Sequence, residues 1–143
     1  MRPNFLAALK DSNSSVRSAA AEALGSVGAG NPAVAEALLA GLKDSDGNMR
    51  WATARALRSA GAGSPAVVEA LLPGLKDIDY TVRWAAAEAL GSAGAGSPAV
   101  VEALLAGLKD SDYTVRSAAA GALRSAGAGS AEVVEALLAA TAI

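Results

Sequence analysis

The chain repeats itself every 33 residues. Leu9-Lys10-Asp11 returns as Leu42-Lys43-Asp44, Leu75-Lys76-Asp77 and Leu108-Lys109-Asp110, and Arg17 returns as Arg50, Arg83 and Arg116. Residues 64–96 and 97–129 differ at only five of 33 positions: Pro73/Ala106, Ile78/Ser111, Trp84/Ser117, Glu88/Gly121 and Gly91/Arg124. A fixed period of this length specifies stacked units, each covering its apolar side by lying against its neighbours. A chain of 143 residues would otherwise be expected to form one compact domain.

Each unit reads as a hairpin of two helices. Ser64-Pro65 places a capping hydroxyl before a proline at the first helical position, where a missing N–H costs nothing. Val68, Leu71, Leu72 and Leu75 then share one face of helix A. Asp77-Ile78-Asp79 breaks the pattern, and Asp79 is placed to cap helix B. On helix B, Val82, Ala86, Ala89 and Ala93 form the core side, flanked by Ala85 and Leu90. So much alanine requires close helix approach. Gly91 and Gly94-Ala95-Gly96 are expected to end helix B. The units run 1–30 (lacking the start of helix A), 31–63, 64–96 and 97–129, with a final helix at 130–143. The expected fold is an all-α solenoid of about nine helices. Pro73 is expected to kink its helix, Gly121 to weaken helix B of its unit, and Thr53 to replace a packed alanine.

The segment Leu75 to Gly94, LKDIDYTVRWAAAEALGSAG, resembles the HEAT-like repeat of the phycobilisome-lyase type, and the other units carry it with substitutions. The resemblance covers nearly the whole chain. It implies a right-handed α-α superhelical solenoid whose B helices line the concave face and whose usual task is binding another protein. It further implies that the recurrent Asp and Arg, as in Asp77 and Arg83, form a ladder between neighbouring units, each pair contributing little at partly exposed positions. The near identity of units three and four suits an engineered or consensus-like array as well as a native interaction module.

Hydrophobic residues make up 52% of the chain and aromatic residues only 3%, so burial must come from many small contacts. A net charge of −2 supplies no long-range attraction to nucleic acid or anionic lipid. No apolar run approaches the roughly 20 residues that span a membrane, and MRPNFLAALKD does not read as a signal peptide, so a cytoplasmic protein is expected. The chain has no histidine and no cysteine. The usual zinc and iron ligands and the common nucleophile–base pairs are therefore missing, and no enzyme activity, metal or cofactor is expected. Gly28-Ala29-Gly30 matches a phosphate loop in composition only. Asp44-Ser45-Asp46-Gly47 has part of a calcium loop, but Arg55 stands where its last ligand belongs, and capping is the expected role.

Packed positions repeat while one arc of helix B varies. It holds Tyr80, Thr81, Trp84, Glu88, Gly91 and Ser92 in the third unit, and Tyr113, Thr114, Ser117, Gly121, Arg124 and Ser125 in the fourth. With B helices roughly 10 Å apart, Trp51 should neighbour Trp84, and Tyr80 should neighbour Tyr113. The candidate protein-binding residues are Trp51, Arg55, Arg58, Tyr80, Trp84, Glu88, Tyr113 and Arg124, types enriched at binding hot spots. In the competing reading the aromatics cover neighbouring alanines and the arginines favour helix C-termini. Other readings are an accessory role of bilin-lyase type, implied by the family resemblance, and a purely structural array. DNA binding would need more basic residues than Arg55, Arg58 and Arg124. The last helix carries Val133, Val134, Leu137 and Leu138 with little charge. Either it belongs to a longer array or the terminal helices pair in a homo-oligomer.

Overall fold

A computed structural model describes residues 5–28, 30–60, 64–93, 97–127 and 131–141. Among them are nine α-helices: α1 (Phe5–Ala8), α2 (Ser14–Val27), α3 (Pro32–Leu38), α4 (Gly47–Ala60), α5 (Pro65–Leu71), α6 (Tyr80–Ser92), α7 (Pro98–Gly107), α8 (Tyr113–Gly127) and α9 (Ala131–Thr141). No strand occurs among the described residues. In the B layer α2 packs on α4, α4 on α6 and α6 on α8. The A helices form a second layer against them, α9 lying on α7 and α8.

The turn chemistry behaves as the residues dictate. Asn13, Asp46, Asp79 and Asp112 accept from the N–H two residues on, at Ser15, Asn48, Thr81 and Thr114, and so start the four B helices. Asn31 caps α3 through the Ala33 N–H, and Ser64 and Ser97 cap α5 and α7 through the Val67 and Val100 N–H groups. Gly30 has φ 77°, a conformation glycine adopts without steric cost, just before the α3 cap. Gly94-Ala95-Gly96 lies outside the described residues.

Two expectations about helix shape are corrected. The A helix of the third unit tightens into a 3-10 segment at Leu72–Lys76, yet the second unit does the same at Leu39–Lys43 with Ala40 in place of Pro73. Proline therefore does not cause the change. Pro73 sits in the first turn of that 3-10 segment. Gly91 does not end its helix: it lies inside α6, and a Cβ there would stand 2.9 Å from the Ala122 Cα. Gly25 makes the same approach to Ala56 at 2.8 Å. These glycines let α2 meet α4 and α6 meet α8 nearly backbone to backbone.

The core follows from that closeness. Val82, Ala85, Ala86, Ala87, Ala89 and Leu90 are all buried on α6, a wider face than the helical stripe alone suggests, because α4 and α8 cover its two flanks. On the A helix of the third unit the deepest residues are Val67 and Leu71, with Val68, Leu72 and Leu75 packed beside them. Thr53 is fully buried, and its hydroxyl donates to the Met49 carbonyl at 2.7 Å, which satisfies it inside the layer.

The Asp–Arg ladder joins each unit to the next. Arg17 donates from Nε and Nη2 to Asp44, Arg50 to Asp77, and Arg83 to Asp110, each pair bidentate at 2.8–3.1 Å. Each of these arginines also donates through Nη1 to carbonyls of its own turn, as Arg50 does to Asp44 and Ser45. The side chains are only 12–17% exposed, so the pairs are more shielded than surface positions. Burial raises the Asp44 and Asp77 carboxyls, but the arginine hydrogen bonds, backbone N–H groups and nearby guanidinium charges outweigh it and hold both below their ordinary value.

Candidate functional site

Five of the eight candidate residues converge. Arg58, Trp84, Glu88, Tyr113 and Arg124 line one open cavity of about 530 Å³ across α4, α6 and α8. Its floor includes Ala118 and Ala122, small residues that the polar arc of the sequence does not contain. The signal for them is the glycine register: Ala122 is the residue Gly91 packs against. Gly121 opens the cavity further, since a Cβ there would meet nothing within 4 Å.

The rim is charged and aromatic. Tyr113 is 72% exposed at the first turn of α8, and Trp84 is half-buried on α6. Arg58 donates from Nε to the Ser92 hydroxyl at 3.1 Å and stands 3.6 Å from the Glu88 carboxylate. Both partners of that ion pair keep solvent contact, so it is a loose pair that a ligand can open. Arg124 is exposed and has no carboxylate partner among the described residues. The cavity thus offers one engaged and one unengaged guanidinium beside two aromatic rings.

The other three lie outside this lining. Trp51 packs against the core, its indole N–H buried without a hydrogen-bond partner, and the Arg55 guanidinium sits 4.9 Å over its ring. That is a cation–π contact at the edge of the core. Arg55 lines a smaller cavity of about 180 Å³ with Glu22 and Ser26. Tyr80 is 49% exposed at the first turn of α6 and belongs to neither cavity. The aromatic residues lining the larger cavity are Trp84 and Tyr113.

Asp44 and Asp46 serve the turn and cap rather than an ion: Asp44 accepts from Arg17 and the Asp46 N–H. Among the described residues no group of three or more acidic side chains is arranged to hold a metal. No helix there is long and apolar enough to cross a membrane.

A two-layered stack of helical hairpins, tied unit to unit by a buried-edge ion ladder and carrying a groove on one layer, is an α-helical repeat solenoid. The chain belongs to the HEAT repeat family, whose pattern matches residues 2–91, 35–124 and 68–142. Comparison with curated protein sequences gives no match. Among solved structures it is similar to the complex of CpcE and CpcF of phycocyanin lyase from Nostoc sp. PCC7120, at 26% identity and TM-score 0.76, over 98% of this chain and 60% of that one. It is similar to human deoxyhypusine hydroxylase in complex with glycerol at 28% identity and TM-score 0.68, over 85% of this chain and 42% of that one. It also shares its fold with an engineered protein at 24% identity and TM-score 0.70, over 95% of this chain and 66% of that one. The chain spans between about two fifths and two thirds of the length of these proteins.

Proposed function

We propose that the chain is a non-catalytic scaffold that holds a protein or peptide segment on the concave face formed by α4, α6 and α8. Trp84 and Tyr113 supply apolar contact, and Arg58 and Arg124 supply charge. The observation that carries this reading is the cavity of about 530 Å³ bounded by those four side chains. It lies at the register where units three and four differ while their packed positions stay the same. Aromatic rings bury large area at little conformational cost and arginine adds a planar fork of donors, which is why both are enriched at interfaces. The similar CpcE–CpcF structure is itself a complex of two proteins. That similarity also supports a second reading, an accessory protein of bilin-lyase type. A linear tetrapyrrole bound in preference to any peptide would favour it.

The test is selection of random peptides on the immobilised chain, followed by affinity measurement of the selected peptide. Tyr113→Ala and Arg124→Ala change exposed side chains, so folding is spared. Each is expected to weaken binding about tenfold, or about 1.4 kcal/mol. Unchanged affinity in both variants, or no peptide enriched at all, contradicts the proposal.

A further inference from the structure

The contact between α4 and α6 is of a different kind from those on either side of it. At the register where α2 and α6 carry Gly25 and Gly91, α4 and α8 carry Arg58 and Arg124, so glycine and arginine alternate there from unit to unit. Across α4–α6, two arginines of α4 hold acceptors of the next unit. Arg50 takes Asp77 at 2.8 Å, and Arg58 reaches Ser92 at 3.1 Å and Glu88 at 3.6 Å.

α8 carries the counterparts of both donors. Arg116 and Arg124 are exposed, and neither has a carboxylate partner among the described residues. Arg116 is engaged there only through Nη1, on the Asp110 carbonyl at 2.7 Å. The counterparts of the three acceptors are Asp11, Glu22 and Ser26, on α2 and the turn before it, and all are exposed. The Asp11 carboxylate accepts only from the Asn13 N–H among the described residues. The apolar residues match in the same way. Val82 and Ala85 of α6 are each 1% exposed, whereas their counterparts on α2 are Val16, 39% exposed, and Ala19, also exposed. Val16 and Ala19 line an open apolar cavity of about 320 Å³.

We propose that the chain associates head to tail with a second copy of itself, α8 of one copy docking on α2 of the next and rebuilding the α4–α6 contact between molecules. Arg116 then takes Asp11, Arg124 takes Glu22 and Ser26, and Val16 and Ala19 are covered. α9 of the first copy and α1 of the second fall at the same place in the repeat, so one of the two helices is displaced when the contact forms. The two patches are different surfaces, which makes the contact heterologous and self-extending unless curvature closes a ring. This inference shares only Arg124 with the binding role of the concave cavity, and the Arg116–Asp11 pair tests it without touching that cavity.

Sedimentation velocity from micromolar to sub-millimolar concentration tests it. The unsubstituted chain is expected to show a sedimentation coefficient that rises with concentration. Arg116→Asp and Asp11→Arg place like charges across the contact and are each expected to weaken association at least about tenfold. An equimolar mixture of the two variants is expected to associate again. Because Arg116 also braces its own turn, Arg124→Glu and Glu22→Arg repeat the experiment on exposed helical positions. Helical circular dichroism checks that every variant is folded. A monomer at all concentrations overturns the proposal. So does association that neither pair of substitutions weakens, or a mixture of folded variants in which neither pair restores it.

Discussion

Arg50 and Asp77 are 27 residues apart, and they lock two repeats together. Nε meets Oδ2 at 2.8 Å and Nη2 meets Oδ1 at 3.1 Å, while Nη1 of the same guanidinium donates to the Asp44 carbonyl of its own turn at 2.9 Å. One side chain thus fixes both the turn that starts α4 and the distance to the next turn. Asp77→Asn keeps an acceptor for the Asp79 N–H but removes the charge that Arg50 needs. It is expected to destabilise the fold by about 1–2 kcal/mol, read as a lower urea midpoint with unchanged slope. Asp77→Ala, which removes the acceptor as well, is expected to cost more.

Two carboxylates of the ladder also contribute to the acid limit of stability. Asp44 and Asp77 are held below the ordinary carboxylate value near 3.8, so the unfolded chain binds more protons than the folded one as pH falls through that region. Their contribution is fully present above the unfolded value and is lost as pH drops through the folded one. Melting temperature is expected to stay level from neutral pH to about pH 5 and to fall below about pH 4. In Arg50→Met the Asp77 share of that fall is expected to shrink.

Two glycines one unit apart in type of environment should respond oppositely to a methyl group. In Gly91→Ala the new Cβ would stand 2.9 Å from the Ala122 Cα and 3.0 Å from its Cβ, forcing α6 and α8 apart. A loss of about 1–3 kcal/mol is expected. Gly121→Ala meets nothing within 4 Å and improves helix propensity, so a gain of about 0.5–1 kcal/mol is expected. Thermal melts of the two variants check the signs.

Pro73→Ala should change little. Ala40 occupies the same position in a unit with the same 3-10 segment, so the proline does not set the local helix shape. A stability change within about 0.5 kcal/mol is expected from chemical denaturation.

Much of this was legible in the sequence because repetition makes each unit confirm the others. The hairpins, the Asn, Asp and Ser caps, and the packed alanines all follow from local chemistry read four times over. Gly91 was not legible: a glycine near a helix end reads as a terminator, and only the neighbouring helix reveals that it serves close approach. The partial burial of Trp51 was not legible for a related reason. Its position on the polar arc says nothing of the adjacent B helices, which half-bury the ring and leave Arg55 above it. Trp84, on the same arc one unit later, lines the cavity, so equal register did not mean equal role.

The face on which a partner sits can be read directly by hydroxyl-radical footprinting of the chain with and without its selected peptide. Ile78 serves as the internal reference, since it is 93% exposed on the turn between α5 and α6 and lies outside the cavity. Trp84 and Tyr113 are expected to lose labelling on binding while Ile78 labels as before. Protection of Ile78 with Tyr113 unchanged would place the partner elsewhere and contradict the proposed binding face.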